Sequence, residues 1–315
     1  MFAIISPFTQ SLDDIGFVYK IPSDFQGILK NGMIVHIPFG KRNILGLVLT
    51  IAQNTDFDKT KIKEITSIYN ENIFLNNYEI ELLKWISTNY FSLIHICLNL
   101  FFPKNLLGKI IKNKFGFNEN IKEIRYDFKY QKTLNQNQSK IFNEIISSNE
   151  NKFLLYGVTG SGKTEIYINL IKHYLEQNKQ ILLLVPEIIL TNQILQRLKK
   201  VFGLEVIIIN STVSEAKKTL YREMIYNNKV KIIVGTRSAI FYPYNNLGLI
   251  IVDEEHDNSY ISDNSPRYDT IEVVNKITDL NHNKLLLGSG TPKINHLYNA
   301  LNGNAKILNL FNEFE

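Results

Sequence analysis

Two short clusters in this sequence carry residue types that could act on phosphates. The first is Gly157-Val158-Thr159-Gly160-Ser161-Gly162-Lys163-Thr164, which fits G-x-x-x-x-G-K-[ST]. Glycines let the main chain wrap a phosphate with its N–H groups, and a following helix adds positive potential at its N-terminus. In that arrangement Lys163 reaches the β- and γ-phosphates of a nucleotide and Thr164 offers a hydroxyl to Mg²⁺. Gly157, Thr159, Gly160, Ser161, Gly162, Lys163 and Thr164 are therefore the candidate nucleotide-binding residues. The second cluster is Asp253-Glu254-Glu255-His256. Asp253 is placed to complete the Mg²⁺ shell with Thr164, and Glu254 to orient and deprotonate an attacking water. An acidic cluster alone reads as a solvated loop; the apolar run before it and the phosphate loop upstream reverse that reading. A carboxylate base beside the Mg²⁺ acid argues for hydrolysis by water rather than transfer to a small molecule.

These residues need a scaffold that delivers them to one edge, and the surrounding pattern supplies it. Apolar runs occur at 152–156, 180–185, 204–209, 230–234, 248–252 and 284–288, with helix-like stretches at 163–177, 189–202, 213–226 and 269–280. Continuous apolar strands alternating with helices predict an α/β fold, a parallel sheet with helices on both faces. Ligands in such sheets bind beyond the carboxyl ends of the strands, where both clusters fall. The N-terminal block reads differently. Gly32–Ile51 is rich in β-branched residues around Pro38-Phe39-Gly40, which predicts a hairpin with Lys41 and Arg42 at its tip. Residues 77–90 space apolar side chains at 80, 82, 83 and 86, as an amphipathic helix does, with Asn76 or Asn77 as its cap.

Length and composition set the outer limits. The 315 residues suggest two domains, and 44% hydrophobic with 21% charged residues is an ordinary globular composition. One cysteine, Cys97, excludes a disulfide framework and a cysteine-based zinc site within these residues. Residues 1–14 lack the pattern of a signal peptide, and Phe91–Phe102 is too short and too polar to span a bilayer. A soluble cytoplasmic protein with no membrane partner is the expectation. The net charge of +5 is local: residues 104–132 hold eight basic and three acidic residues, between two nearly neutral blocks. Phe115, Phe117, Tyr126, Phe128 and Tyr130 interleave with those cations, as suits a nucleic-acid strand whose phosphates meet charges and whose bases meet rings. A solvated linker whose rings dock on a neighbouring domain is the other reading.

The segments GVTGSGKTEIY (157–167), LVPEIILTNQ (184–193), GTRSAIFYP (235–243), LGLIIVDEEHDNSY (247–260), PRY (266–268) and GSGTP (288–292) resemble the superfamily 2 helicases, and among them the PriA (primosomal protein N′) family of bacterial replication-restart helicases. VHIPFGKRNILGLV (35–48) resembles the hairpin of that family's 3′-DNA-binding domain. The resemblance implies a RecA-like first motor lobe over residues 133–315, a basic connector over 104–132 in place of a winged helix, and a β-rich DNA-binding domain over 1–103. It implies ATP and Mg²⁺ as cofactors, and 3′→5′ unwinding of DNA at stalled forks leading to primosome assembly. The implied partners are forked or single-stranded DNA and the proteins of replication restart, with single-stranded DNA-binding protein among the candidates. Gln138 resembles the glutamine that reads the adenine edge. Thr236 and Arg237 resemble contacts to the strand backbone, and Glu255 and His256 would couple the nucleotide site to DNA. Tyr260, Arg267 and Tyr268 lie in what resembles an aromatic DNA-sensing loop. Ser289 and Thr291 resemble a relay between hydrolysis and domain movement. Phe17 and Gly40 fall where the family's pocket holds the 3′ end of a nascent strand, and Lys41 and Arg42 at the hairpin tip are further candidate DNA-binding residues.

Departures from the family pattern accompany this. The usual Phe-Asp-Tyr is Phe17-Val18-Tyr19, which removes an acceptor for a 3′-hydroxyl and leaves terminus recognition open. Ile209-Asn210-Ser211, Arg267-Tyr268-Asp269 and Ser289-Gly290-Thr291 stand where the family has Leu-His-Ser, Arg-Tyr-His and Ser-Ala-Thr. The family's second lobe, its arginine finger and its zinc-binding cysteines are not found in these residues, so the expectation is a truncated motor, weakly active or inactive alone. A non-catalytic fragment that binds fork DNA and nucleotide is the alternative.

Overall fold

The computed structural model describes residues 1–11, 16–117, 121–126, 133–158, 160–187, 193–203 and 206–310, the side chains of 193–195 aside. Thr159, Phe128, Tyr130 and part of the segment 184–193 lie outside the described residues. The chain forms two compact units, one of Met1–Asn118 with Asp263–Tyr268, the other of Glu119–Ser262 with Asp269–Glu315.

The first unit contains strands β1 (Phe2–Pro7), β2 (Phe17–Lys20), β3 (Ile34–Phe39), β4 (Arg42–Ala52) and β5 (Ser67–Ile68) in one sheet of order β2-β1-β4-β3-β5. Neighbouring strands pair antiparallel. β3 and β4 are the expected hairpin: Phe39 faces Arg42 across Gly40 and Lys41, and residues 40–42 are exposed. Ala3, Ile5, Tyr19, Val35, Ile37 and Val48 form its apolar core. Three helices follow, α1 (Asn77–Asn89), α2 (Ile94–Phe101) and α3 (Lys104–Ile111). α1 starts where the sequence indicates, because Asn76 accepts from the Glu79 N–H while Glu79 accepts from the Asn76 N–H.

The segment after residue 103 departs from the expected connector. Lys104–Ile111 is helical and buries Leu106 and Ile110 within the first unit. Phe115 and Phe117 pack on Phe74 at ring distances of 6.1 and 5.6 Å, and the Phe115 carbonyl accepts from the Tyr69 hydroxyl at 2.9 Å. In the second unit, the Tyr126 hydroxyl accepts the N–H groups of Lys231 and Ile232, each at 3.0 Å. Of the two readings of the segment, base stacking or docking of its rings on the fold, these three rings follow the second.

The second unit contains α4 (Gln136–Ser147), β6 (Lys152–Tyr156), α5 (Lys163–Glu176), β7 (Gln180–Leu184), α6 (Gln193–Phe202), β8 (Ile207–Ile209), α7 (Glu215–Tyr226), β9 (Ile232–Gly235), β10 (Leu247–Val252), α8 (Thr270–Asn281), β11 (Lys284–Ser289), α9 (Ile294–Asn299) and β12 (Lys306–Asn309). Its seven strands pair in parallel in the order β12-β6-β11-β10-β7-β9-β8. Every position of β7, β9 and β10 is buried, so both faces of the sheet are covered. α5 packs on β7 and β10, and α8 on β11. Among the described residues no helix is long and apolar enough to cross a membrane.

Candidate nucleotide and DNA sites

The carboxyl ends of β6, β10 and β11 gather the two clusters found in the sequence. The phosphate loop leaves β6 and enters α5 at Gly162, which has φ of +95°, and a side chain there would collide with the Gln138 amide at 2.2 Å. Only glycine meets both demands. The Gly157 N–H donates to the Ser289 carbonyl at 3.1 Å, which joins the loop to the end of β11. Lys163 is 7% exposed; its ammonium donates to the Gly157 carbonyl at 2.8 Å and stands 3.6 Å from Glu254.

Gln138 belongs to a capping box at the start of α4. Its Oε1 accepts from the Asn135 N–H at 3.0 Å, and its Nε2 donates to the Gly162 carbonyl at 3.4 Å. It thus braces the phosphate loop.

Asp253 follows β10 and is gripped twice by phenols. Tyr167 of α5 donates to its Oδ1 at 3.0 Å, and Tyr260 donates to its main-chain carbonyl at 2.7 Å. Burial, with the neighbouring Glu254 charge, pushes the Asp253 carboxyl up to about 6, while the Tyr167 hydrogen bond and Lys163 act against that rise. Glu254 has φ of +47°, a left-handed conformation that a glutamate rarely adopts. Such strain gathers at functional sites. It sets the Glu254 carboxylate between Lys163 and His256, each at 3.6 Å. His256 Nδ1 lies 2.8 Å from Ser289 Oγ, which also accepts from the Thr291 N–H at 3.2 Å. His256 and Thr291 therefore meet on the Ser289 hydroxyl.

Other expectations are corrected by burial. Glu255, expected to couple the nucleotide site to DNA, is fully buried; it accepts from the Lys293 N–H at 3.0 Å and pairs with His296, so it ties β10's end to α9. Thr236 is buried, and the Arg237 guanidinium donates to the carbonyls of Ser259 and Ile261. Arg237 thereby fixes the loop that carries Tyr260. Tyr260 and Tyr268 are 1% and 4% exposed, so neither ring offers a face to a base. Arg267 is exposed. The sequence reading missed Tyr167, Gly288 and His296. Tyr167 ends the quoted segment GKTEIY, but nothing in its spacing tells a hydroxyl partner from a core ring.

The residues present fit a magnesium nucleotide. Ser161 Oγ is buried with no partner among the described residues, and space opposite Gly160 is open. An orphaned hydroxyl in a cradle of N–H groups suits phosphate oxygens. Thr164 and Asp253 would hold the Mg²⁺.

The first unit carries a separate cavity of about 560 Å³. β2 contributes Phe17 and Val18, the hairpin end contributes Phe39 and Gly40, and residues 57–63 close it with Phe57, Asp58, Lys61 and Lys63. The Phe17 and Phe39 rings meet edge to face at 5.2 Å. Lys41 and Arg42 are exposed beside it. The structure thus brings Phe17 and Gly40 together, as expected.

A family model described as DEAD/DEAH box helicase matches residues 135–299, and one described as 3′DNA-binding domain (3′BD) matches residues 9–103. Over 297 residues the chain is 34% identical to the replication restart protein PriA of Rickettsia conorii, covering 94% of this chain and 44% of that protein. Over 266 residues it is 36% identical to the Helicobacter pylori protein of the same name, covering 84% and 40%. Over 168 residues it is 44% identical to the one from Bacillus subtilis, covering 53% and 21%. The chain spans less than half the length of these relatives.

Proposed function

The chain belongs to the DEAD/DEAH box helicase family, and we propose that it works as the ATP- and DNA-binding N-terminal portion of a cytoplasmic replication-restart helicase. The parent activity is ATP-dependent 3′→5′ unwinding at stalled forks, with primosome proteins as partners. The observation that carries this reading is the group of Lys163, Asp253 and Glu254 around a phosphate loop whose buried Ser161 hydroxyl has no partner among the described residues.

Each residue then has a distinct task. Lys163 exchanges the Gly157 carbonyl for phosphate oxygens, neutralising charge on the β- and γ-positions. Bound Mg²⁺ supplies Lewis-acid stabilisation of the leaving phosphate. Tyr167 holds the Asp253 carboxylate in one orientation, and Lys163 favours its ionised form. Glu254 orients water and takes its proton, and the neighbouring His256–Ser289 contact senses the change. Gln138 reads the adenine edge with the amide hydrogen and the lone pair that its bonds to Gly162 and Asn135 leave over. In the first unit the Phe17 cavity receives a 3′ strand end, and Lys41 and Arg42 meet phosphates nearby.

ATP turnover measured with and without forked DNA tests the proposal. DNA should stimulate turnover, and Lys163→Ala should lower it by about a hundredfold or more, the scale of losing one transition-state charge contact. DNA binding with no stimulated turnover would instead identify a non-catalytic fork-binding fragment.

A further inference from the structure

Among the described residues one carboxylate lines the cavity at Phe17, and it comes from a part of the chain that the family pattern does not mark. Val18 lines the wall as an aliphatic residue, while Asp58 enters from the loop before Lys61. The other lining groups sort by chemistry. Phe17, Phe39 and Phe57 offer aromatic surface, and Phe57 is left 66% exposed at the rim. Lys61 and Lys63 offer ammonium groups. Aromatic faces suit a base and ammonium groups suit a phosphate. A carboxylate suits neither, but it accepts strongly from a hydroxyl.

We propose that Asp58 is the residue that recognises a free 3′-hydroxyl in this cavity, taking the role that a carboxylate at position 18 would have. This rests on the reading of the cavity as a 3′-end site. Asp58 Oδ1 accepts from the N–H and hydroxyl of Thr60 at 3.1 and 2.7 Å. Oδ2 has Lys61 3.5 Å away and keeps lone pairs for an incoming hydroxyl. The Thr60 hydrogen bonds hold the carboxyl below its ordinary range, so it presents a charged acceptor at neutral pH. That charge attracts a terminal hydroxyl proton. It repels a 3′-terminal phosphate, or the phosphodiester of a strand that continues. One group therefore serves both attraction and exclusion.

Affinities of the chain for recessed duplexes ending in 3′-hydroxyl, 3′-hydrogen or 3′-phosphate test this. The unsubstituted protein should prefer the hydroxyl end to the phosphate end by about tenfold or more, the scale of a charged hydrogen bond gained or a repulsion avoided. Asp58→Asn keeps an Oδ1 for Thr60 but drops the charge, and should bring the hydroxyl and phosphate ends within about twofold. Asp58→Ala should also erase the preference for hydroxyl over hydrogen. Full discrimination by both variants, with melting unchanged, would overturn the role of Asp58 and leave the 3′-end site standing. Equal binding of all three ends and of an uninterrupted duplex by the unsubstituted protein would overturn the site itself. Phe17→Ala serves as the control that abolishes end-dependent binding without touching Asp58.

Discussion

Asp253 is under opposing demands. Magnesium needs the carboxylate ionised, yet its burial beside Glu254 favours the neutral form and pushes its pKa to about 6 from an ordinary 3.8. In the metal-free protein this has a sign that can be worked out. Below 3.8 the group is protonated in folded and unfolded chains alike, and stability is unaffected. Between 3.8 and about 6 the unfolded chain ionises first, so stability falls as pH rises. Above that the full penalty applies, about 3 kcal/mol at 1.36 kcal/mol per pKa unit. Metal-free Asp253→Asn should therefore resist urea better than the parent at pH 7.5, by up to about 3 kcal/mol, and the gap should close near pH 4. A gap independent of pH would show that the carboxylate charge is not what strains this site. Both clusters around Asp253 were legible in the sequence because each is contiguous and follows an apolar run. Tyr167 was not, since its hydroxyl finds a partner 86 residues further along the chain. Asp58 escaped notice for the same reason: it lies in the polar run 54–61, and only the folded sheet brings it to Phe17.

The Tyr167 side chain of α5 closely approaches the end of β11 at Gly288. A side chain at Gly288 would lie 1.8 Å from the Tyr167 hydroxyl and 3.0 Å from the ring carbon that bears it. The glycine therefore makes room for the phenol that orients Asp253, and the sequence of β11 is tied to the chemistry of β10. Gly288→Ala should cost on the order of 1–3 kcal/mol of stability, as overpacking does. In a Tyr167→Phe background the cost should shrink by about 1 kcal/mol or more, because the clashing oxygen is gone. Denaturation of the four proteins of this cycle gives the coupling directly, and equal costs in both backgrounds would refute the contact. The strands of this sheet were readable wherever an apolar run was continuous, as in β6, β10 and β11. β12 was missed, since Lys306–Asn309 carries only two apolar residues in four. α3 was missed because its charges hid the apolar pair Leu106 and Ile110, one helical turn apart on the buried side.

Across the whole molecule the charge surplus sits in 104–132, and the fold decides how that surplus can be used. Phe115, Phe117 and Tyr126 are spent on packing, while Lys104, Lys112, Lys114, Lys122 and Arg125 remain exposed. Near Lys104, Lys112 and Lys114 the rings of Phe115 and Phe117 are taken up by Phe74, and cations that lack a ring beside them bind phosphates and not bases. A surface made by Lys104, Lys112 and Lys114 of the first unit would be electrostatic and indifferent to sequence, unlike the Phe17 cavity, whose aromatic walls and Asp58 are proposed to select a strand end. Composition located the surplus but could not separate these two modes, because a ring reads the same whether it faces a base or a core. The distinction has a measurable consequence. Replacing Lys104, Lys112 and Lys114 with glutamine should make the plot of log affinity against log salt shallower by about 2 units on single-stranded DNA, at roughly 0.7 per phosphate contact. The preference among 3′-hydroxyl, 3′-hydrogen and 3′-phosphate ends should stay as in the parent, since none of the three lysines lines the cavity. A slope unchanged by the triple substitution would reduce α3 and the residues after it to a structural strap. A loss of end preference would instead mean that the electrostatic surface and the cavity act as one site.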